Sequence, residues 1–196
     1  MRKIHVYLMV SLDGYFEGPN HDLSWHNVDG EFNQFAISQL RDTGLMLFGR
    51  TTYQLMEGYW PKAEEDPKTT PDDVEVARLM NNTPKMVISR TLNQVKEGPH
   101  WKNVTLRNKL DVSEIKKLKQ ETGKDIWAGG SELATSLLKE GLVDEVRLMV
   151  APVVVGAGTP LFKGLDTRMK FKLTKTQPFK SGYVLLFYEP FTDSLR

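Results

Sequence analysis

Three short segments of this 196-residue sequence are rich in glycine, serine, threonine and arginine, a composition suited to binding phosphate. They comprise residues 48–52, 88–91 and 128–131, and each follows a run of apolar residues that predicts a buried strand. The first and third segments also precede predicted helices. Glycine lets the backbone approach a phosphate closely, and the N–H groups at a helix N-terminus offer hydrogen-bond donors and partial positive charge.

Arg50 and Arg90 lie in the first two segments, and a guanidinium group binds phosphate oxygens through two parallel hydrogen bonds. In a parallel sheet the carboxyl ends of the strands share one edge, where ligands bind. Two glycine turns and two arginines at that edge predict a site for a dinucleotide with a third phosphate. The alternative is that Gly49 and Gly130 only form tight turns and that both arginines are solvated.

Three carboxyl groups are candidates for proton transfer. Asp13 follows the first predicted strand, and Asp29 and Glu31 lie at the start of the next predicted helix. A carboxyl group in a cleft of low polarity has a raised pKa, which suits a proton donor. The structural alternatives are that Asp29 caps the helix and Asp13 caps a turn. Glu31 and Phe35 would share one helical face, which suits a ring-binding cleft or an ordinary amphipathic boundary.

Other chemistries lack the residues that they need. The sequence has no cysteine, which excludes disulfides, thiolate nucleophiles, cysteine-ligated zinc and iron–sulfur clusters. Its four histidines show no metal-ligand spacing, and we predict no metal site. Residues 155–160 begin like a dinucleotide fingerprint but lack its third glycine, so we interpret them as a glycine bend after a long strand.

The charge balance and the apolar runs narrow the range of partners. The 26 basic and 25 acidic side chains argue against a dedicated nucleic-acid surface or a polybasic membrane anchor. The longest nearly apolar stretch, residues 148–158, is shorter than the roughly 18 residues of a membrane span. Together with the absence of cysteine, these features predict a cytoplasmic protein that binds a small molecule, with neither nucleic acid nor membrane as a partner.

Strands and helices alternate over the first 150 residues, and the last part of the chain consists of strands. The predicted strands cover residues 3–10, 45–48, 85–89, 104–106, 125–128, 145–155, 170–177 and 182–189. The predicted helices cover residues 29–42, 51–59 and 72–81, a segment from residue 113, and residues 131–140. This order predicts one α/β domain over residues 1–190, with a mostly parallel sheet and a C-terminal antiparallel hairpin, followed by a tail at 191–196.

Four stretches, taken in order, resemble a known family: residues 11–14, 47–53, 87–92 and 129–162. The chain resembles the dihydrofolate reductase superfamily, and most closely the C-terminal reductase domain of the bifunctional riboflavin-biosynthesis deaminase/reductase and its stand-alone relatives. The resemblance implies a dihydrofolate reductase-like three-layer fold with a central, mostly parallel, eight-stranded sheet and flanking helices. It also implies NADPH bound across the strand ends.

By motif match, the resemblance assigns the cofactor contacts to the three segments. The first would contact the cofactor phosphates, the second the adenosine 2′-phosphate, and the third the pyrophosphate and the nicotinamide side. The residues are Gly49, Arg50, Thr51, Thr52, Ser89, Arg90, Thr91, Gly129, Gly130, Ser131 and Glu132. Two positions depart from the riboflavin-type pattern, because Tyr15 stands where these reductases carry lysine and Ala128 where they carry glutamate.

These observations predict an NADPH-dependent reductase that transfers hydride to a pterin- or pyrimidine-like small molecule. The nearest named activity is 5-amino-6-(5-phosphoribosylamino)uracil reductase. Glu31 or Asp13 would supply or orient a proton, and the walls of the substrate pocket would be Tyr15, Trp25 and Phe35. The alternatives are dihydrofolate reductase activity, a nucleotide-binding family member without catalysis, and an interaction domain without a ligand. Relatives of this kind are often homodimers, and we expect a homodimer.

Overall fold

The computed structural model describes residues 1–27 and 29–191. The strands are β1 (Ile4–Val10), β2 (Tyr15–Glu17), β3 (Thr43–Gly49), β4 (Lys85–Ile88), β5 (Val104–Arg107), β6 (Asp125–Gly129), β7 (Glu145–Val150), β8 (Thr159–Pro160), β9 (Phe171–Pro178) and β10 (Val184–Pro190). The helices are α1 (Gly30–Arg41), α2 (Arg50–Ala63), α3 (Pro71–Asn82), α4 (Val112–Gln120) and α5 (Ser131–Lys139), with a 3-10 turn at Pro19–His21.

Within the described residues, eight strands form one sheet in the order β5-β4-β3-β6-β1-β7-β10-β9. The pairings of β3 with β4 and β6, of β4 with β5 and of β1 with β7 are parallel. Strand β10 is antiparallel to both β7 and β9, and β2 pairs with β8 in a separate small sheet. The predicted mostly parallel α/β sheet with a C-terminal antiparallel hairpin is confirmed.

The chain divides into two compact units. Unit 1 comprises Met1–Arg2 and the described part of Val28–Gly130, and unit 2 comprises Lys3–Asn27 and the described part of Ser131–Arg196. The single domain over residues 1–190 stays a prediction, and the predicted tail lies outside the described residues beyond Phe191. Across the ranges that the structure describes, no helix combines the length and the apolar character that a membrane span requires.

Unit 1 packs α1 and α2 against β3, and α3 against both helices. The largest buried side chains of this core include Met46, Phe48 and Tyr53. The sequence predicts a helix that Pro61 stops at residue 59, whereas α2 continues to Ala63. Proline removes one backbone donor, which is a small loss in the last turn of a helix. Packing of half-buried Trp60 against the core and burial of Ala63 hold that turn in place.

Lys85, at the start of β4, is a fully buried cation that ties together the backbone around the amino end of the strand. Its Nζ donates to the carbonyl oxygens of Asn81 at 2.9 Å, Thr83 at 2.7 Å and Lys102 at 3.2 Å. The same atom lies 4.2 Å from the centroid of the Trp101 ring. Burial lowers the pKa of Lys85 to about 7. The three carbonyls and the indole face replace the water that the ammonium group loses on folding.

Unit 2 is organised around the parallel pair β1 and β7, in which Val10 is opposite Val150. Strand β7 ends at Val150, although the sequence predicts a strand to residue 155. The N–H of Ala151 still donates to the Val10 carbonyl at 2.8 Å, but Pro152 has no N–H and the chain leaves the sheet there. Residues 11–20, which lie outside the predicted strands and helices, contain β2, which pairs with β8.

Helix α5 carries the apolar face of unit 2, with Leu133, Leu137 and Leu138 buried. It ends at Lys139, one residue before the predicted end at 140, and is followed by Gly141, whose φ of 62° is in the left-handed region. The N–H of Gly141 donates to the Leu138 carbonyl at 3.0 Å, and the N–H of Leu142 donates to the Leu137 carbonyl at 3.0 Å. These two bonds form the glycine C-terminal motif that satisfies the last carbonyls of a helix.

We expect Gly141→Ala to lower the free energy of unfolding by about 1 kcal/mol, because an L-residue in the left-handed region costs roughly 1–2 kcal/mol. Gly58→Ala is the matched control, since Gly58 is exposed inside α2 with open space around its Cα. There alanine is favoured over glycine by about 1 kcal/mol. Urea denaturation followed by circular dichroism measures both variants. An unchanged midpoint for Gly141→Ala would contradict this role of the glycine.

Candidate functional site

The register of β3 with its two neighbours places the carboxyl ends of the three strands that lead into these segments side by side in unit 1. Gly49 is opposite Ile88 of β4, and Phe48 is opposite Gly129 of β6. Because all three strands are parallel, the turns that follow them leave the sheet at one edge. The structure therefore brings together the three turns that the sequence analysis selected.

The first turn leads directly into α2. Gly49 is the N-cap residue in an extended conformation, and it provides no side-chain acceptor for the first N–H groups of the helix. Arg50 and Thr51 are exposed, and Thr52 is half-buried. Uncapped N–H groups at a helix start carry partial positive charge and are suited to an anion. This end of α2 has the properties of a phosphate-binding helix terminus.

The third turn approaches the first so closely that glycine is required. Gly130 has a φ of 94°, and a Cβ atom at this position would collide with Thr52 Oγ1. A Cβ atom at Gly129 would lie 3.0 Å from Cε1 of Phe48. Gly130 is half-buried and Gly129 is buried, so the third turn packs closely against the start of α2 and the end of β3. Ser131 and Glu132, which begin α5 in unit 2, follow immediately in the chain; Ser131 is buried and Glu132 is exposed.

The second turn is held by the buried hydroxyl of Ser89. Its Oγ accepts hydrogen bonds from the backbone N–H groups of Thr91 at 3.2 Å and Leu92 at 3.0 Å. This leaves the side chains of Arg90 and Thr91 exposed. Within residues 1–27 and 29–191, neither Arg90 nor Arg50 forms an ion pair. Two guanidinium groups at this edge therefore have all their donors available to an anion.

Asp13, in unit 2, accepts hydrogen bonds on both carboxylate oxygens. Ser11 Oγ donates to Oδ1 at 2.6 Å, the Val155 N–H donates to Oδ1 at 3.1 Å and the Gly156 N–H donates to Oδ2 at 2.7 Å. The hydrogen bond from Ser11, together with the two backbone donors, lowers the pKa of Asp13 to about 2. The group is ionised near neutral pH and acts as an acceptor that joins two loops.

The two other candidate carboxyl groups lie at the start of α1. Asp29 is the N-cap, and its Oδ1 accepts a hydrogen bond from the Phe32 N–H at 2.8 Å, as the structural alternative predicts. Glu31 is exposed in the first turn of α1, where an acidic side chain interacts favourably with the positive end of the helix dipole. Phe35, one turn later, is only 9% exposed and belongs to the core.

The remaining predicted substrate residues are in unit 2. Tyr15 is half-buried in β2, opposite Pro160. Trp25 is half-buried, its Nε1 donates to the Asp22 carbonyl at 3.2 Å, and its ring meets the His26 ring edge-on at 4.3 Å. The structure places these two aromatic side chains in unit 2 and Phe35 in α1 of unit 1.

Sequence reasoning did not identify the contacts that join the first loop to the glycine bend at residues 155–158. Thr159 Oγ1 donates to Glu17 Oε1 at 2.8 Å, and a Cβ atom at Gly158 would collide with the Glu17 carbonyl oxygen. The glycines of the bend are the only sequence signal for this close approach. Within the described residues, no group of three or more histidine, aspartate or glutamate side chains is suited to a metal ion.

The Asp13 contacts predict a pH dependence. The folded-state pKa of Asp13 is below its usual value of 3.8, so its contribution to stability is complete above about pH 4 and disappears as the pH falls toward 2. Asp13→Asn should therefore lower the urea midpoint at pH 6, and this difference from wild type should shrink below about pH 4 and disappear as the pH falls toward 2. Asp42→Asn is the control, because among the described residues the Asp42 carboxylate accepts no hydrogen bond. A constant difference across pH would contradict the prediction.

Comparison with known proteins identifies the family and the fold of the chain. Residues 2–185 match the family model for the RibD C-terminal domain. The uncharacterized protein YyaP of Bacillus subtilis (strain 168) is 37% identical over 188 residues, which cover 95% of this chain and 94% of YyaP.

Two solved structures share the fold. The Thermotoga maritima diaminohydroxyphosphoribosylaminopyrimidine deaminase/5-amino-6-(5-phosphoribosylamino)uracil reductase superposes with a TM-score of 0.65 at 15% identity, over 97% of this chain and 57% of that one. Dihydrofolate reductase from Enterococcus faecalis, complexed with NADP(H), superposes with a TM-score of 0.62 at 15% identity, over 96% of both chains. These superpositions confirm the dihydrofolate reductase-like fold. Because the family model matches residues 2–185, this chain belongs to the RibD C-terminal domain family.

Proposed function

We propose that this protein is an NADPH-dependent reductase. The observation that carries the proposal is the pair of exposed guanidinium groups, Arg50 and Arg90, on neighbouring turns beside the uncapped start of α2. The arrangement offers donors for a pyrophosphate and for one further phosphate, which distinguishes NADPH from NADH. Family membership supports a reductase, and the related dihydrofolate reductase of Enterococcus faecalis binds NADP(H).

The residues of the three turns fit the phosphates of this cofactor. The N–H groups at the start of α2, with Thr51 and Thr52, would hold pyrophosphate oxygens. The glycines of the third turn let its backbone lie against Thr52 and Phe48, and Ser131 and Glu132 would extend the binding surface along the chain. Arg90 and Thr91, on the turn that Ser89 holds, would bind the 2′-phosphate.

The substrate would be a pterin- or pyrimidine-like ring with a C=N or C=O group. When bound, the nicotinamide would supply hydride to the carbon of that group. Glu31 would orient the proton that the neighbouring nitrogen or oxygen takes up, because the low pKa of Asp13 makes that group a structural acceptor. Tyr15 and Trp25 remain the proposed substrate contacts of unit 2, and Phe35 remains the one proposed in unit 1. The nearest named activity is 5-amino-6-(5-phosphoribosylamino)uracil reductase, and dihydrofolate reductase activity is the second candidate.

We also propose a homodimer in the cytoplasm, formed through one face of the sheet in unit 2. Leu148 is opposite Leu186, and Leu173 is opposite Tyr188, which places these four side chains on one face of β7, β10 and β9. Three of them are half-buried, and Leu173 is 48% exposed. An apolar sheet face with this much exposure is typical of a protein–protein contact.

Arg90→Ala should weaken NADPH binding by about 10- to 100-fold, since a hydrogen bond to a charged group contributes roughly 1.5–3 kcal/mol. The affinity for NADH should change little, because NADH has no 2′-phosphate. Arg168→Ala, which removes an exposed arginine of unit 2, is the control. Fluorescence titration of both nucleotides measures the effect. Equal losses for NADPH and NADH would contradict the assignment of Arg90.

The homodimer predicts a mass of about twice 22.4 kDa by size-exclusion chromatography with light scattering. Leu173→Glu should shift the protein toward the monomer, because a carboxylate on this face loses its hydration when a second copy covers it. Lys116→Glu, on the exposed side of α4, is the control for the change in charge. A wild-type mass near 22.4 kDa would refute the dimer.

A further inference from the structure

Building on the proposed reductase function, we infer that the substrate is a planar ring without a phosphate group, and so not the phosphoribosylated uracil of the nearest named activity. It would bind on the two loops that follow β1 and β7. These loops, residues 11–18 and 151–161, are called the platform. Strands β1 and β7 are parallel and end at the opposed residues Val10 and Val150. The platform therefore lies at the carboxyl end of a parallel strand pair, the position where open α/β sheets bind ligands.

The platform is a fixed surface, because its two loops are hydrogen-bonded to each other along their length. The Leu12 N–H donates to the Val153 carbonyl at 2.8 Å, and the Leu161 N–H donates to the Gly14 carbonyl at 3.0 Å. The Asp13 carboxylate joins the loops between these bonds, through the N–H groups of Val155 and Gly156. A surface that is already ordered loses little conformational entropy when a ligand binds.

The platform presents two large aliphatic side chains to solvent. Val154 is 67% exposed and Leu12 is 62% exposed, and in the described part of the chain only Met1 is a more exposed large hydrophobic residue. They lie near each other, since the backbone of Leu12 is bonded to Val153. Ordered loops that keep aliphatic side chains in water are suited to covering the face of a ring.

The platform offers a phosphate no cationic side chain. Neither residues 11–18 nor residues 151–161 contain lysine or arginine. Their charged side chains are the carboxylates of Asp13 and Glu17, both of which are engaged in contacts within unit 2. A phosphate here would lose hydration without gaining a cationic partner, and it would be repelled by both carboxylates. The exposed arginines of the protein's cofactor turns belong to unit 1 instead.

The test compares matched probes with and without a phosphate in the presence of saturating NADP⁺. Isothermal titration calorimetry measures the dissociation constants of riboflavin and riboflavin 5′-phosphate, and of uridine and uridine 5′-monophosphate. We expect the uncharged member of at least one pair to bind about tenfold or more tightly than its phosphorylated partner. The inference would be overturned if the phosphorylated probes bound equally or more tightly, or if none of the four probes bound.

Two variants locate the effect on the platform. Val154→Arg supplies the missing cation and should improve binding of the phosphorylated probes by about tenfold. Gln120→Arg adds the same charge on exposed α4 and should leave the preference unchanged. An identical response of the two variants would refute a site on the platform.

The titration of NADP⁺ itself is performed first and separates the two proposals. If NADP⁺ does not bind, the proposed function fails and the inference that rests on it fails too. If NADP⁺ binds and the phosphorylated probes are preferred, only the inference about the substrate is wrong.

Discussion

The candidate cofactor site depends on the parallel register of β3 between β4 and β6. This register aligns Gly49 with Ile88 and Phe48 with Gly129, so the three turns begin at the same level of the sheet. A slip of one residue would reverse the faces of β3 and move Phe48, which is now fully buried, to the face on which Leu47 packs. The close approach of Gly130 to Thr52 follows from the same alignment. Core packing and the geometry of the candidate cofactor site therefore both depend on these two strand pairings.

The two units differ in how they use charge at the carboxyl ends of their strands. In unit 1, Arg50 and Arg90 are exposed, and among the described residues neither is used in an ion pair. In unit 2, the Asp13 carboxylate accepts hydrogen bonds from Ser11 and from two backbone N–H groups of the neighbouring loop. The guanidinium groups of unit 1 are available to bind a ligand, whereas the carboxylate of unit 2 orders the backbone of two loops. Both interactions are strong because hydrogen bonds to charged groups are stronger than those between neutral groups.

Much of the fold could be predicted from the sequence, because its signals are local. Periodicity indicates the strands and helices that build the sheet, and Asp29 and Gly141 mark helix ends by capping chemistry that depends only on near neighbours. The three turns of the candidate site could be selected for the same reason, since each joins a strand to the segment that follows it.

The remaining features depend on contacts between residues far apart in the chain. Helix α2 continues past Pro61 because tertiary packing holds its last turn in place. Strand β7 ends at Val150 because Pro152 has no N–H group to donate to the sheet. The role of Asp13 could not be predicted, because its partners Val155 and Gly156 are more than a hundred residues away. A carboxylate in a loop has the same appearance in a sequence whether it donates protons or orders a second loop.

The position of β9 at the end of the strand order has a consequence for how copies of the protein can associate. A sheet edge with unpaired backbone groups can recruit further strands, and repeated recruitment produces fibres. Strand β9 carries the exposed lysines Lys172 and Lys175, and Pro178 ends it. Two such edges brought together would oppose like charges, so strand addition at this edge is disfavoured. Association through the sheet face would then stop at the dimer. Strand β9, which lies beside that face, would prevent growth into a polymer.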